Sequence, residues 1–298
     1  MIDLRYHVAS LIGIFLALGL GMLIGSTIVG DDLLVEQQKK MIDRLEEQYV
    51  TQRETERELI SENQYLQQIN NHYENYSQTL LPAIVDELLA GSRVAVVVTG
   101  GKDIPAGMVN TLTRSGAEVI CKTVLLSGLD LSQEGLKDEI TAYYGLPQAS
   151  ETETVQRMIA SSVATILSRE PDVNAMAFLN EKNLVKFNGN YNTNLDAVIV
   201  VGGADDLAYY YPEKVDVPLI EFLLAEGQMV IGVESTQVEM SYMNFYQGFN
   251  ISTIDNIDLS PGQIALVLAL EGESGNYGIK PTANKFMPTI PVEYLRRQ

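Results

Sequence analysis

Tryptophan is absent from this chain, and cysteine and histidine are nearly absent. The single cysteine, Cys121, excludes an intramolecular disulfide. The two histidines are His7 and His72, so residues 82–298 contain none. A Ser-His-Asp or Cys-His hydrolase site is therefore excluded from that part of the chain. We predict that the protein is not an enzyme.

Basic residues are also scarce, with 20 Lys and Arg against 39 Asp and Glu. The net charge of −19 argues against a nucleic-acid partner, because such proteins carry a basic patch or stripe. An acidic domain is also repelled by anionic lipid headgroups. We therefore expect most of the chain to stand away from a membrane surface.

One segment lacks charge altogether, and it lies close to the N-terminus. Residues 8–30 contain no Asp, Glu, Lys or Arg. A helix of this length rises about 1.5 Å per residue, which is enough to cross a bilayer core. A cleaved signal peptide is the alternative, but its apolar core is shorter and ends at a small-x-small site. We favour a retained transmembrane helix over residues 8–30, in contact with membrane lipid, after a cytoplasmic tail of residues 1–7.

Small residues recur at every fourth position of this span. They are Ala9, Gly13, Ala17, Gly21 and Gly25. Such a ridge allows close backbone approach between membrane helices, and it predicts a helix–helix interface. Arg5 precedes the span and Asp31-Asp32 follow it, which favours a cytoplasmic N-terminus and an extracytoplasmic remainder. Lys39, Lys40 and Arg44 weaken that orientation.

Residues 31–81 have the composition of a helical stalk, without proline or glycine up to residue 80. A heptad spacing places apolar side chains at many of the seam positions of a coiled coil, including Ile42, Leu45, Leu59 and Leu66. A single solvated helix with charge pairs four residues apart is the alternative. We favour self-association, which the small-residue ridge also supports. Leu81-Pro82 is expected to end the helix, because Pro82 lacks a donor.

Residues 82–298 alternate apolar β-rich runs with helical segments, which predicts an α/β domain with a mostly parallel sheet. Four runs read as strands: 93–99, 119–126, 196–201 and 228–233. Helices are expected at 105–115, 152–168 and 218–225, with a helical connection at 127–147. The Asn-rich segment 180–195 is expected to be an exposed loop.

Two of the strands end in paired glycines that acidic or polar residues follow. Ligands of open α/β sheets bind beyond the carboxyl ends of the strands, so this edge is the candidate pocket. Its predicted residues are Gly100, Gly101, Gly202, Gly203, Asp205, Asp206 and Glu234. Neither loop matches a dinucleotide or Walker pattern, and a tight turn explains paired glycines equally well.

Soft metal donors are few in this domain. Cys121 lies within an apolar run, which favours a buried side chain. Met240 and Met243 are three residues apart, could share a helix face, and are weak candidates for Cu(I) ligands. Methionines at that spacing more commonly fill gaps in a core. No catalytic residue and no cofactor site is evident.

Both ends of the chain carry recognisable motifs. The N-terminal motif is Met-Ile-Asp-Leu-Arg-Tyr-His-Val-Ala-Ser-Leu at residues 1–11, followed by residues 15–21 and 23–26 of the span. The C-terminal motifs are residues 254–258, 262–270 and 275–278. These segments resemble the MctB-type copper transport protein family. The order of anchor, coiled coil and α/β domain is similar as well, so the resemblance covers nearly the whole chain.

The resemblance implies copper homeostasis or efflux at the cell envelope. It supplies no catalytic or metal-binding residues that can be carried over to this chain. Family members with long coiled coils also resemble envelope scaffolds that engage cell-division partners. Two hypotheses follow: a copper-homeostasis membrane protein, and a non-catalytic envelope or cell-division scaffold acting through its coiled coil.

Overall fold

The computed structural model describes residues 4–291, with the side chains of all of them except residues 4, 27–33 and 106. The chain divides into two compact units, Met1–Asn71 and His72–Gln298. The first helix, α1 (Leu4–Val85), supplies all of the described part of the first unit and the opening residues of the second.

In the first unit, α1 exposes its large apolar side chains. Those of the N-terminal stretch belong to the segment Arg5–Ser26, which is long and apolar enough to cross a membrane. Those farther along include the predicted seam residues Ile42, Leu45, Leu59 and Leu66. From residue 34 to residue 71 the helix is polar and its side chains are exposed except that of Ile69, so its own propensity stabilises it only weakly.

The predicted helix end at Leu81-Pro82 is wrong, because α1 continues to Val85 with Pro82 inside it. Leu81, Ile84 and Val85 are buried in one of the two cores of the second unit. Tertiary packing of this apolar turn therefore outweighs the local cost of the proline.

The second unit is built on one seven-stranded sheet in the order β3-β2-β1-β4-β5-β6-β7. All neighbouring strands are parallel except β2 and β3, which are antiparallel. The strands are β1 (Arg93–Val98), β2 (Glu118–Leu125), β3 (Val185–Gly189), β4 (Ala197–Val201), β5 (Met229–Val233), β6 (Ser252–Ile254) and β7 (Asn276–Tyr277).

Helices cover both faces of the sheet. They are α2 (Ala106–Arg114), α3 (Leu136–Tyr143), α4 (Thr152–Ser168), α5 (Val173–Glu181), α6 (Val217–Ala225), α7 (Met243–Tyr246) and α8 (Ser260–Glu271). Short 3-10 turns occupy Ser127–Asp130 and Leu207–Tyr209, and a π-helical turn occupies Pro212–Asp216.

Strand β1 shows why the sheet has a core on each face. Ala95 and Val97 belong to the core that contains residues of α3 to α7. Val94, Val96 and Val98 belong to the core formed with the end of α1, α2 and α8. Because successive side chains of a strand point to opposite faces, a strand that is buried on both faces requires an uninterrupted apolar run. The predicted α/β class with a mostly parallel sheet is confirmed.

The prediction of a loop at 180–195 is wrong, because this segment contains the end of α5 and strand β3. β3 lies at the edge of the sheet, and Lys186 and Asn188 are exposed while Val185 is buried. An edge strand does not need a continuous apolar run, so the usual sequence signal is missing. The short strands β6 and β7 and the helices α5 and α8 were also not predicted.

Candidate functional site at the carboxyl edge of the sheet

The strand order reverses direction between β1 and β4, which are hydrogen-bonded neighbours. The chain moves from β1 to β2 on one side, and from β4 to β5 on the other. In open α/β sheets, ligands bind in the crevice outside the carboxyl ends of the strands at such a point. The predicted pocket residues that follow β1 and β4 therefore do lie at one edge of the sheet.

The paired glycines in these two loops allow the loops to pack directly on each other. A Cβ atom at Gly100 would lie 1.9 Å from the carbonyl oxygen of Gly203, and one at Gly101 would lie 2.5 Å from the ring of Tyr209. A Cβ at Gly202 would lie 2.1 Å from the hydroxyl of Tyr246. At these positions the glycines therefore serve close packing between parts of the chain itself.

An ion pair joins the two loops at the surface. Lys102 Nζ lies 2.6 Å from Asp205 Oδ2 and donates to the carbonyl oxygen of Gln237 at 2.6 Å. Asp205 Oδ1 accepts from the backbone N–H of Glu239, and these donors lower the pKa of Asp205, with Lys102 the largest cause. Asp206 caps the following 3-10 turn by accepting from the N–H of Ala208 at 2.9 Å.

Glu234 follows β5 and is fully buried. Its Oε1 accepts from Lys280 Nζ and from Ser241 Oγ, each at 2.6 Å, and its Oε2 accepts from the N–H of Tyr242 at 2.9 Å. Lys280 is itself largely buried. The carboxylate thus ties together segments that follow β5 and β7 and the loop before α7. Sequence analysis found Glu234 but missed Lys280, which lies 46 residues farther along the chain.

A second buried carboxyl group, Asp216, was missed altogether. Its Oδ2 accepts from Thr99 Oγ1 at 2.6 Å and from the Tyr246 hydroxyl at 2.5 Å. Complete burial raises the pKa of Asp216 to about 7, although both hydrogen bonds oppose that shift. Thr99 directly follows β1, whereas Asp216 ends the π-helical turn before α6. No local pattern marks an aspartate at such a position as buried.

Asn256 follows β6 and is fully buried, and neither its Oδ1 nor its Nδ2 has a hydrogen-bond partner within the described residues. Its Oδ1 would lie 2.6 Å from a Cβ at Gly262, in the first turn of α8. Asn256 and Gly262 both belong to the motifs that carry the family resemblance. Buried amides usually have partners, so ordered water is the simplest way to satisfy this one.

The soft metal donors of this unit are dispersed. Cys121 is buried in β2 as predicted, and desolvation raises the pKa of its thiol to about 11. Met243 is buried and begins α7, but Met240 precedes the helix and forms an isolated bridge with Ala204. The expectation that both methionines share a helix face is therefore wrong. No group of three or more His, Cys, Asp and Glu side chains able to hold a metal occurs among the described residues.

In the first unit, the small-residue ridge is open. A Cβ atom at Gly13, Gly21 or Gly25 would meet nothing within 4 Å. Ala9 and Ala17 are exposed. Within the part of the chain that the structure describes, the ridge is therefore exposed, as a surface for a neighbouring helix would be.

Comparison with known proteins identifies the family. The profile of the family described as "Copper transport outer membrane protein, MctB" matches residues 1–288. Proteins named "Copper transporter MctB" from Mycobacterium bovis (strain ATCC BAA-935 / AF2122/97) and Mycobacterium tuberculosis (strain ATCC 25618 / H37Rv) are each 26% identical over 320 residues. These alignments cover 93% of this chain and 96% of each relative. The chain belongs to the MctB family.

Proposed function

We propose that this protein acts in copper homeostasis at the cell envelope, in the direction of efflux. The observation that carries this proposal is the extent of the family match, which includes the apolar helix, the polar helix and almost all of the α/β unit. The curated relatives share that full extent and are named copper transporters. In this proposal Arg5–Ser26 anchors the chain in the membrane, with a cytoplasmic N-terminus.

We propose that the protein works as a component of an assembly, because a single copy has too few transmembrane helices to transport copper. One transmembrane helix cannot enclose a pathway through a bilayer. The exposed small-residue ridge and the exposed apolar seam of α1 both suit association between copies. The α/β unit then serves as an extracytoplasmic module that the coiled-coil stalk presents to other envelope components.

The residues at the carboxyl edge of the sheet support a non-catalytic role for the α/β unit. The oxygens of Glu234 and the Oδ2 of Asp216 are held by groups of the chain itself. Asp255, the third buried carboxylate among the described residues, accepts from the N–H groups of Ile279 and Lys280. These hydrogen bonds order the loops, and each of the three carboxylates is held by the chain rather than left open as a general base. The α/β unit is therefore proposed to be non-catalytic.

Deletion of the gene from its host tests the proposed function. An efflux role predicts a higher cellular copper content and greater sensitivity to added copper in the deletion strain. Both should return to normal when the full chain is expressed, and zinc content should not change. An unchanged copper content and an unchanged copper tolerance would reject the copper role and would favour a scaffold role in the envelope.

A further inference from the structure

The end of α1 within the second unit, residues 72–85, presents two different faces. Ser77 and Glu74 are partly covered, and Leu81, Ile84 and Val85 are buried against the rest of the unit. Since successive helical residues are about 100° apart, these five side chains lie on one side of the helix. That side is fixed by packing against the sheet unit.

A separate stripe on the same segment is open. Tyr73 is 68% exposed, Tyr76 is 64% exposed and Leu80 is 40% exposed. At about 100° per residue, the three lie within about 60° of each other around the helix axis. Tyr73 and Leu80 also continue the predicted heptad seam, because they follow Leu59 and Leu66 in steps of seven residues. We call these three residues the tyrosine stripe.

The charge pattern favours a second copy of the chain as the occupant of the stripe. Between residues 63 and 85 the only Asp, Glu, Lys or Arg is Glu74, whereas residues 36–62 contain thirteen such residues, seven of them Glu. A chain with a net charge of −19 repels its own copies, and like charges that meet across an interface weaken it. Outside the membrane span, an uncharged aromatic surface allows two copies to meet without that repulsion.

Glu74 turns its charge away from the stripe. Its Oε1 accepts from Ser260 Oγ at 2.6 Å and from the N–H of Ser260 at 3.1 Å. Ser260 is the first residue of α8, where a carboxylate is stabilised by the free N–H groups and the helix dipole. This cap holds the last turns of α1 so that the tyrosine stripe lies beside the buried side of the helix, roughly 90° from it around the axis, and stays exposed.

We propose that the tyrosine stripe is an isologous contact between two copies of this chain, and that Glu74 is the positioning residue that orients it. This inference rests on the self-association of α1 proposed above and adds where it occurs on the α/β unit. In a twofold contact the same patch meets itself, so Tyr73 and Tyr76 of each copy pack against those of the other. Tyrosine suits such a contact because its ring is apolar while its hydroxyl can still bind water.

Disulfide cross-linking of the full-length protein in membranes tests the contact. Tyr73→Cys and Tyr76→Cys are each compared with Asn75→Cys, which is exposed and lies about 160° from Tyr73 and about 100° from Tyr76 around the helix axis. Leu59→Cys in the predicted seam is the second comparison. Cys121 stays in place, since it is buried and its raised pKa makes it a poor nucleophile. Because disulfides need Cα atoms about 4.4–6.8 Å apart, we expect about tenfold more cross-linked dimer at 73 or 76 than at 75.

The outcomes separate this inference from the proposal on which it rests. Cross-linking at 59 but not at 73 or 76 would overturn the tyrosine stripe and leave self-association intact. Equal cross-linking at 75 and 76 would also overturn it, as would a product with a mass other than that of two chains. Cross-linking at none of the positions would reject both.

Glu74→Gln tests the positioning role. Glutamine keeps the size of the side chain but loses the charge that the α8 N-terminus stabilises. In the Tyr76→Cys background we expect Glu74→Gln to lower the dimer yield severalfold, while Leu59→Cys with Glu74→Gln cross-links as before. An unchanged yield at residue 76 would show that Glu74 does not orient the stripe.

Discussion

Asp216 is a buried carboxyl group whose pKa lies well above the ordinary value for aspartate. Its carboxyl group is fully buried between Thr99 and Tyr246, and burial raises its pKa to about 7. Burial is the largest cause that raises the pKa of Tyr246 far above its usual range. The charge of Asp216 and the hydrogen bond between the two groups raise it further. Both groups therefore remain neutral under mildly acidic conditions, and the hydroxyls of Thr99 and Tyr246 donate to Asp216.

This pKa predicts an unusual dependence of stability on pH. Between about pH 4 and pH 7 the folded protein holds a proton on Asp216 that the unfolded chain, with a pKa of 3.8, has released. The contribution of Asp216 is therefore fully present below about pH 4, and it is lost as the pH rises towards 7. Asp216→Asn stays neutral at every pH and should remove this component. Its free energy of unfolding should fall less than that of the parent between pH 4.5 and 7.5, by something on the order of a few kcal/mol.

Chemical denaturation of the full-length protein in detergent at a series of pH values measures the difference. Asp206→Asn is the matched control, because Asp206 is exposed and caps only a 3-10 turn. Parallel pH profiles for the parent and Asp216→Asn would show that Asp216 is ionised throughout this range.

The elements show which parts of the fold can be derived from sequence. The runs at β1, β4 and β5 are continuous and apolar because both faces of these strands are buried, and that is the signal that located them. Helix α4 matches its predicted bounds, since its apolar side chains recur with the helical period. The edge strand β3, the three residues of β6 and the two residues of β7 depend on their neighbours, so local patterns do not reveal them.

Part of the candidate site could be predicted from the sequence for the same reason. Glu234 and the Gly-Gly pairs immediately follow strong strands, so their place at the carboxyl edge follows from the topology. Lys280 and Asp216 lie beside them only because of long-range packing, and neither is flagged by its own segment. That the glycines accommodate Tyr209 and Tyr246 is likewise a property of the folded unit.

Helix α1 is the element on which the proposed self-association depends. Replacement of Leu45, Leu59 and Leu66 by Asp would place three charges in the predicted seam. Burying unpaired charges is costly, so we expect dissociation of the assembly, with a loss on the order of several kcal/mol of association free energy. Thr51→Asp with Ser61→Asp and Gln68→Asp is the control, since it adds the same charge at exposed positions outside the seam.

Light scattering of the detergent-solubilised full chain reports the outcome. The control should keep the mass of the parent assembly, whereas the seam variant should be smaller. A parent protein that is already monomeric at tens of micromolar, or a seam variant of unchanged mass, would count against the coiled coil.

The protein belongs to a family described by copper transport, but its described residues contain few of the groups that bind copper tightly. Soft thiolate, imidazole and thioether donors in fixed geometry are what Cu(I) prefers. Here Cys121 is buried with a raised pKa, and His72 lies on α1. Met243 is buried, and Met240 lies on the bridge before α7. This dispersal agrees with the proposed function only if the chain takes part in copper efflux without storing the ion itself.

We therefore expect the purified full-length protein to bind Cu(I) weakly or not at all. Competition against a Cu(I) chelator under reducing conditions should give no stoichiometric binding tighter than about micromolar. Met240→Leu with Met243→Leu should then leave the titration unchanged, as should the control Met108→Leu, a buried residue of α2. Stoichiometric, tighter binding that disappears only in the double variant would show that these two methionines form part of a real site. The protein would then handle copper directly, and the α/β unit would be a carrier of the ion, which its dispersed donors argue against.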